Sequence, residues 1–269
     1  MSNLDLRQVT APRQFGFINW LGLWTLYKKE VRRFMKVVFQ TVLAPVVTVL
    51  LFMVIFAMVL SEARPDIAGI PFAQFIAPGL ILMGVLNNAF ANSSSTLLVS
   101  KVQGNTVDFL MPPLSALELF LAFVGGAMTR GFIVALASGT AMAFFVPLWP
   151  EHVWAVVFYG LSAAAMLAMV GVIAGIWAEK FDHLAVVTNF IIMPLTFLSG
   201  TFYSVAGRGV IETISHFNPF FYMIDGFRYG FTGHADGSLT IGILMTLGIN
   251  IALAICCYGV LRAGWRLKS

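Results

Sequence analysis

The chain alternates between long apolar stretches and short charged ones. Val37 to Leu60, Ile67 to Ser100, Val153 to Ala178, Leu184 to Gly207 and Gly237 to Leu261 contain no Asp, Glu, Lys or Arg, and Leu119 to Pro150 contains only Arg130. An apolar helix needs about 20 residues to cross a bilayer core, and each stretch is long enough. In lipid a lone segment satisfies its backbone only as a helix. The pattern therefore predicts an all-α polytopic membrane protein with six spans, at about 37–60, 72–100, 119–147, 153–178, 184–203 and 238–261. Together they make a transmembrane domain of residues 37–262. Prolines interrupt span 1 (Pro45), span 2 (Pro78) and span 5 (Pro194). A proline inside a span kinks it or leaves a carbonyl for neighbours to satisfy.

The polar remainder is organised. Residues 1–12 read as loose, and residues 1–36 as a cytoplasmic N-terminus. Phe17, Trp20, Trp24, Tyr27, Val31 and Phe34 recur at helical spacing, with Lys29, Arg32, Arg33 and Lys36 largely off that stripe. An aromatic face beside a basic face predicts an amphipathic helix in the membrane interface or against a soluble partner. Span 2 turns polar in its second half. Gly84, Asn88, Asn92 and Thr96 share one face there, so Asn88, Asn92 and Thr96 either bond other helices or line a pathway. Arg130 is either functional or snorkels to the inner interface; the apolar run up to Pro147 favours snorkelling. Gly171 and Gly175 form a small-xxx-small pair for close helix contact. Residues 204–236 are long and aromatic for a loop (Phe217, Phe220, Phe221, Tyr222, Phe227, Tyr229, Phe231) and are broken at Asn218-Pro219. Two short helices dipping into the outer leaflet fit them better than a solvated connection.

Charge sets the orientation. Arg7, Arg13, Lys28, Lys29, Arg32, Arg33, Lys36, Lys101, Lys180, Arg262, Arg266 and Lys268 fall on the side of the termini, against Arg64, Arg208 and Arg228 opposite. Basic residues beside span ends mark the cytoplasmic face, so both termini are expected there. Composition agrees: 59% of residues are hydrophobic, 10% are charged and the mean hydropathy is +0.89, which leaves no room for a soluble catalytic domain. The net charge of +4 is thus topological and does not point to nucleic acid. Cys256 and Cys257 are adjacent in span 6, read as packing residues, and are badly placed for a mutual disulfide. The basic region before span 1 is too long for the n-region of a cleavable signal. No phosphate-binding loop, metal-binding histidine spacing or G-x-S-x-G is present, so no catalytic or metal residue is assigned. Within the spans there is no ionisable run to relay protons. Energy for uphill transport would have to enter through a partner.

Three places together resemble one family. Ser199-Gly200 after span 5, then Asn218-Pro219, then Asp225 and Arg228, resemble the outer signature of ABC-2 type permeases of ABC transporters. Gly104, Thr106, Asp108, Phe109, Leu110 and Met111, in the inner segment 101–114 that ends at Pro112-Pro113, resemble that family's coupling segment, which rests on an ATPase. The basic helix before span 1 is similar to its connecting helix. The stretch Ser204 to Val210 departs from the family pattern, which usually has a Pro just after the outer turn. The resemblance implies the membrane subunit of a bacterial exporter of multidrug, nodulation-factor or polysaccharide-export type, located in the inner membrane. It implies a homodimer with two copies of a separate ATPase, and ATP and Mg handled by that partner with no cofactor on this chain. The implied substrate is a hydrophobic drug, lipid or glycoconjugate. The outer motif would gate release, and Phe109, Leu110 and Met111 would meet the ATPase. Two other classes remain in view: an integral membrane lipid-modifying enzyme, for which His216, Asp225 and Arg228 are the one loose cluster, and a non-transporting scaffold for an ATPase.

Overall fold

The computed structural model describes residues 16, 18–60, 66–207 and 209–266. Residues 1–12, with Arg7, and Arg13, Phe17, Arg64, Arg208 and Lys268, all used above, lie outside them. The described chain is a helical bundle. In chain order it has α1 (Trp20–Met35), α2 (Ala44–Leu60), α3 (Phe72–Val102), α4 (Val107–Leu110), α5 (Ala116–Ala143), α6 (Val153–Trp177), α7 (Phe181–Val187), α8 (Met193–Leu198), α9 (Val210–His216), α10 (Pro219–Thr232) and α11 (Leu239–Ala263). Two-residue strands β1 (Asp66–Ile67) and β2 (Ile70–Pro71) pair antiparallel just before α3. Six helices are long and apolar enough to cross a membrane: Phe39–Phe56, α3, α5, α6, Phe181–Leu198 and α11. The protein is a six-span membrane protein.

Two spans carry a π-helical turn, and proline explains both. Phe39–Leu43 is π-helical just before Pro45, and Thr188–Ile192 just before Pro194. Proline lacks the N–H that would bond four residues back, and its ring crowds that carbonyl. A wider turn at that point keeps the helix continuous. Pro78 lies inside α3 without such a turn.

The core is built around α3, of which 83% of the span window is buried. α6 packs against it through the two glycines. A Cβ at Gly171 or Gly175 would lie 2.7 Å from the backbone oxygen of Phe90 or Ser94, so only glycine permits this approach. Ser93 Oγ donates to Ala168 O across the same contact at 2.8 Å. α5 begins with a capping box between Ser115 and Glu118, and the Glu118 carboxylate also accepts from the Asn19 amide, which ties the start of α1 to the start of α5. The first, fifth and sixth spans remain far more open, with 22%, 17% and 11% of their windows buried.

Candidate functional site

Three groups of residues carry the candidate chemistry. At the inner end, Gly104 adopts φ +71°, which glycine tolerates and which turns the chain out of α3 into α4. Thr106 is buried just before α4. Asp108 meets Lys29 of α1 at 3.6 Å, an exposed pair and hence a weak one. Phe109 faces inward. It is 2% exposed and sits edge-on to Phe123 of α5 at 5.4 Å. Of the expected contact residues Phe109, Leu110 and Met111, helical geometry sends Phe109 into the core and leaves the other two outward. The residues left outward are Val107, Leu110 and Met111, at 50%, 36% and 79% exposed.

The second group is polar and lies where α1, α3 and α5 meet. α1 buries Leu26, Glu30 and Phe34, successive positions of one face. Of the aromatic stripe of the sequence, Trp20 and Trp24 point outward while Phe34 joins the buried face. Glu30 accepts from Thr96 Oγ1 at 2.7 Å and pairs with Arg33 at 3.4 Å. Arg33 Nη2 donates to Asn92 O and Oδ1 at 2.8 and 3.0 Å. One turn away along α3, Asn88 Oδ1 accepts from Arg130 Nε and Nη2 at 3.2 and 2.8 Å. Arg130 stands near the middle of α5 and is held sideways by α3 rather than reaching along its own helix. Asn88, Asn92 and Thr96 are all buried, and Asn88, Asn92 and Thr96 each bond another helix of this chain. Glu30 and Arg33 were not singled out from sequence as site residues. The signal for Glu30 was its place between Leu26 and Phe34.

The third group brings together all six residues of the outer motif. Asn218 caps α10 by accepting from the Phe220 amide, and Pro219 occupies the first turn, where its missing N–H costs nothing. Asn218 Nδ2 also donates to Leu195 O of α8. Ser199 Oγ donates to Thr196 O, and Gly200 turns the chain at φ +71°. Arg228, 1% exposed, donates from Nε to Phe75 O of α3 at 3.1 Å and from Nη2 to Gly200 O, with its guanidinium 3.9 Å over the Phe75 ring. Asp225 lies 3.8 Å from Arg228 and accepts the amides of Asp236 and Gly237, both at 2.9 Å. Burial pushes the Asp225 carboxyl above the usual carboxylate range, opposed by Arg228 and by those amides. Asp236, missed from sequence, accepts from Ser204 Oγ, the Val205 amide and His234. These bonds fasten α10 to α3, to the end of α8 and to the loop before α11. His216 turns elsewhere, to the Tyr222 hydroxyl at 3.3 Å, and so stands apart from the Asp225–Arg228 pair.

The comparisons with known proteins follow this geometry. The model of the ABC-2 type transporter family matches residues 22–232. The chain is 36% identical over 254 residues to the inner membrane transport permease YadH of Escherichia coli (strain K12), covering 93% of this chain and 98% of that protein. It is 20% identical over 257 residues to nodulation protein J of Neorhizobium galegae, covering 92% and 97%. Against nodulation protein J of Rhizobium leguminosarum bv. trifolii the identity is 21% over 248 residues, covering 88% and 93%. The match runs from α1 through α10, and the chain belongs to the ABC-2 type transporter family.

Proposed function

We propose that this protein is the membrane-spanning, non-catalytic permease subunit of an ATP-driven exporter in the bacterial inner membrane, with both termini cytoplasmic. It works as a homodimer above two copies of a separate ATPase, which binds ATP and Mg. The substrate is a hydrophobic drug, lipid or glycoconjugate. The carrying observation is α4. It presents Val107, Leu110 and Met111 outward from the end opposite α10, while Phe109 anchors it to α5 and Asp108 meets α1.

That arrangement supports a mechanical role. A force on α4 reaches α5 through Phe109 and Phe123, and reaches α1 through Lys29. From α1 it reaches α3 through the Glu30–Thr96 and Arg33–Asn92 contacts. Packed side chains and buried hydrogen bonds transmit such displacements because they do not deform continuously. At the other end α10 is fixed to α3 by Arg228, so motion of α3 is felt at the outer mouth. The open faces of the first and fifth spans, with Phe39 and Phe190 at 78% and 76% exposed, are surfaces a second copy would cover.

The test is coupling. Met111→Asp and Leu110→Asp permeases, reconstituted with the partner ATPase, should lose ATPase retention and substrate-stimulated hydrolysis while eluting like the wild type. Full retention of the ATPase by both variants removes α4 as the docking element.

A further inference from the structure

The polar group at α1, α3 and α5 holds more positive charge than its contacts neutralise. Arg33 has one carboxylate, Glu30, which it shares with Thr96. Arg130 has only the neutral Asn88 amide oxygen; among the described residues no carboxylate is within ion-pair distance of it. The two guanidiniums bond residues one helical turn apart on α3, about 6 Å along its axis, and repel each other. The other described carboxylates are committed or distant. Asp108 meets Lys29, Glu118 takes the Ser115 and Asn19 amides, Glu179 pairs with Arg266, and Asp225 and Asp236 hold the outer loop. Two buried donors beside the arginines, Arg33 Nε and Asn92 Nδ2, have no acceptor. Asn92 is 0% exposed, and a buried polar group without a partner costs about 1–3 kcal/mol.

The site has a way in. Between Phe75 and Leu98, α3 is buried except at Asn87, Ala91 and Ser95, a single stripe at i, i+4, i+8. This stripe runs beside Asn88 and Asn92, and Ser95 itself faces Arg33 Nη1 at 3.4 Å. Its lining is polar or small, and the charge behind it is positive. Arginine forks match phosphate oxygens in a bidentate geometry, and guanidinium–phosphate contacts are strong where water is scarce.

We propose that Arg33 and Arg130 form a binding site for the anionic headgroup of a membrane amphiphile, its phosphate lying between the two guanidiniums and entering along Asn87, Ala91 and Ser95. A lipid is assigned as the source because the site lies among membrane-spanning helices. The assignment does not rest on transport, since binding is read on the permease alone.

The experiment uses the purified full-length permease in detergent, titrated with fluorescent phosphatidylglycerol or phosphatidylcholine. Saturable binding of phosphatidylglycerol, at least about tenfold tighter than that of phosphatidylcholine, is expected. Arg130→Gln should weaken it about tenfold or more, and Arg130→Lys, which keeps the charge but not the fork, should fall between wild type and Arg130→Gln. Arg130→Gln strands no carboxylate and should elute as the wild type; Arg33→Gln, which leaves Glu30 without its cation, serves as the second variant. Lys28→Gln, an exposed charge on the same helix, should change nothing. Equal binding of the two lipids overturns the proposal, as does an unchanged affinity in Arg130→Gln. Displacement by millimolar inorganic phosphate would assign the site to a free anion and overturn the lipid assignment.

Discussion

Arg228→Ala probes the outer end of the bundle most directly. The side chain is 1% exposed and donates to two backbone carbonyls, Phe75 O and Gly200 O, while lying over the Phe75 ring and 3.8 Å from Asp225. Truncation leaves Gly200 O without the Arg228 donor and removes a second donor from Phe75 O, and a buried acceptor left unpaired costs about 1–3 kcal/mol. It also leaves the Asp225 carboxylate with amide partners but no cation, and breaking a buried pair costs about 3–5 kcal/mol. These costs overlap, so a loss of about 3–5 kcal/mol is the working figure. At about 2–4 °C per kcal/mol for a chain of this order of size, the melting temperature should fall by roughly 10 °C. The assay is thermal unfolding of purified permease followed by size-exclusion fluorescence. Arg228→Lys, which keeps the charge but cannot fork between two carbonyls, should fall between wild type and Arg228→Ala. A melting temperature for Arg228→Ala within about 2 °C of wild type, at equal expression, would refute the claim that this guanidinium holds α10 to α3. From the sequence, the motif that holds Arg228 is expected to gate release; with the side chain fully buried, its loss should impair transport because α10 loosens from α3.

Phe109→Ala should destabilise by about 3–5 kcal/mol through loss of the Phe123 contact, whereas Met111→Asp should leave the melting temperature unchanged; equal effects on melting would contradict the inward orientation of Phe109. Gly171→Leu should cost folding yield, because its Cβ meets the Phe90 backbone as well as Ser93 Oγ, and the backbone cannot move aside; wild-type yield and melting temperature would show that α6 does not pack this closely on α3. For topology, cysteine labelling of intact cells lacking Cys256 and Cys257 should modify Phe217→Cys and spare Asn105→Cys, and the reverse pattern would invert the protein in the membrane. Position 236 is a poor reporter for that purpose, since the Asp236 side chain is 1% exposed and hydrogen-bonded.

The spans were legible because their signal is additive. Each is a sum of some twenty apolar residues with no charge, and neighbouring helices cannot erase it. The outer motif was legible for another reason. Asn218 and Pro219 act locally, as a helix cap and a first-turn proline, so their pairing in sequence already carries their geometry. Arg228 and Asp225 were visible as charges in an apolar region, but their partners were not. Phe75 O and Gly200 O are backbone atoms, and any residue type supplies them. Asp236 looked like an ordinary loop acid for the same reason: its importance lies in the amide of Val205 and the hydroxyl of Ser204, about thirty positions away.

The inner site shows what periodicity leaves out. The stripe from Trp20 to Phe34 has helical spacing and points its tryptophans at the interface or a partner, but it does not say which residues α1 turns into the bundle. In the folded chain Trp20 and Trp24 stay outside, and the helix turns Leu26, Glu30 and Phe34 inward. A carboxylate on the packing face looks unfavourable until its partners are counted. Glu30 is buried because Thr96 donates to it and Arg33 balances its charge, and both contacts join segments more than a helix apart or one turn apart on the same surface. The side chain beneath it, Gly126 of α5, has no Cβ: one built there would lie 2.8 Å from Glu30 Cβ. A glycine on α5, a threonine on α3 and a charge pair on α1 thus make one joint. The joint stands between α4 and the rest of the bundle, and Arg130 adds a second cation beside it. Among the described residues its positive charge exceeds what its carboxylates balance, and an anion from outside the chain is the component that would complete it.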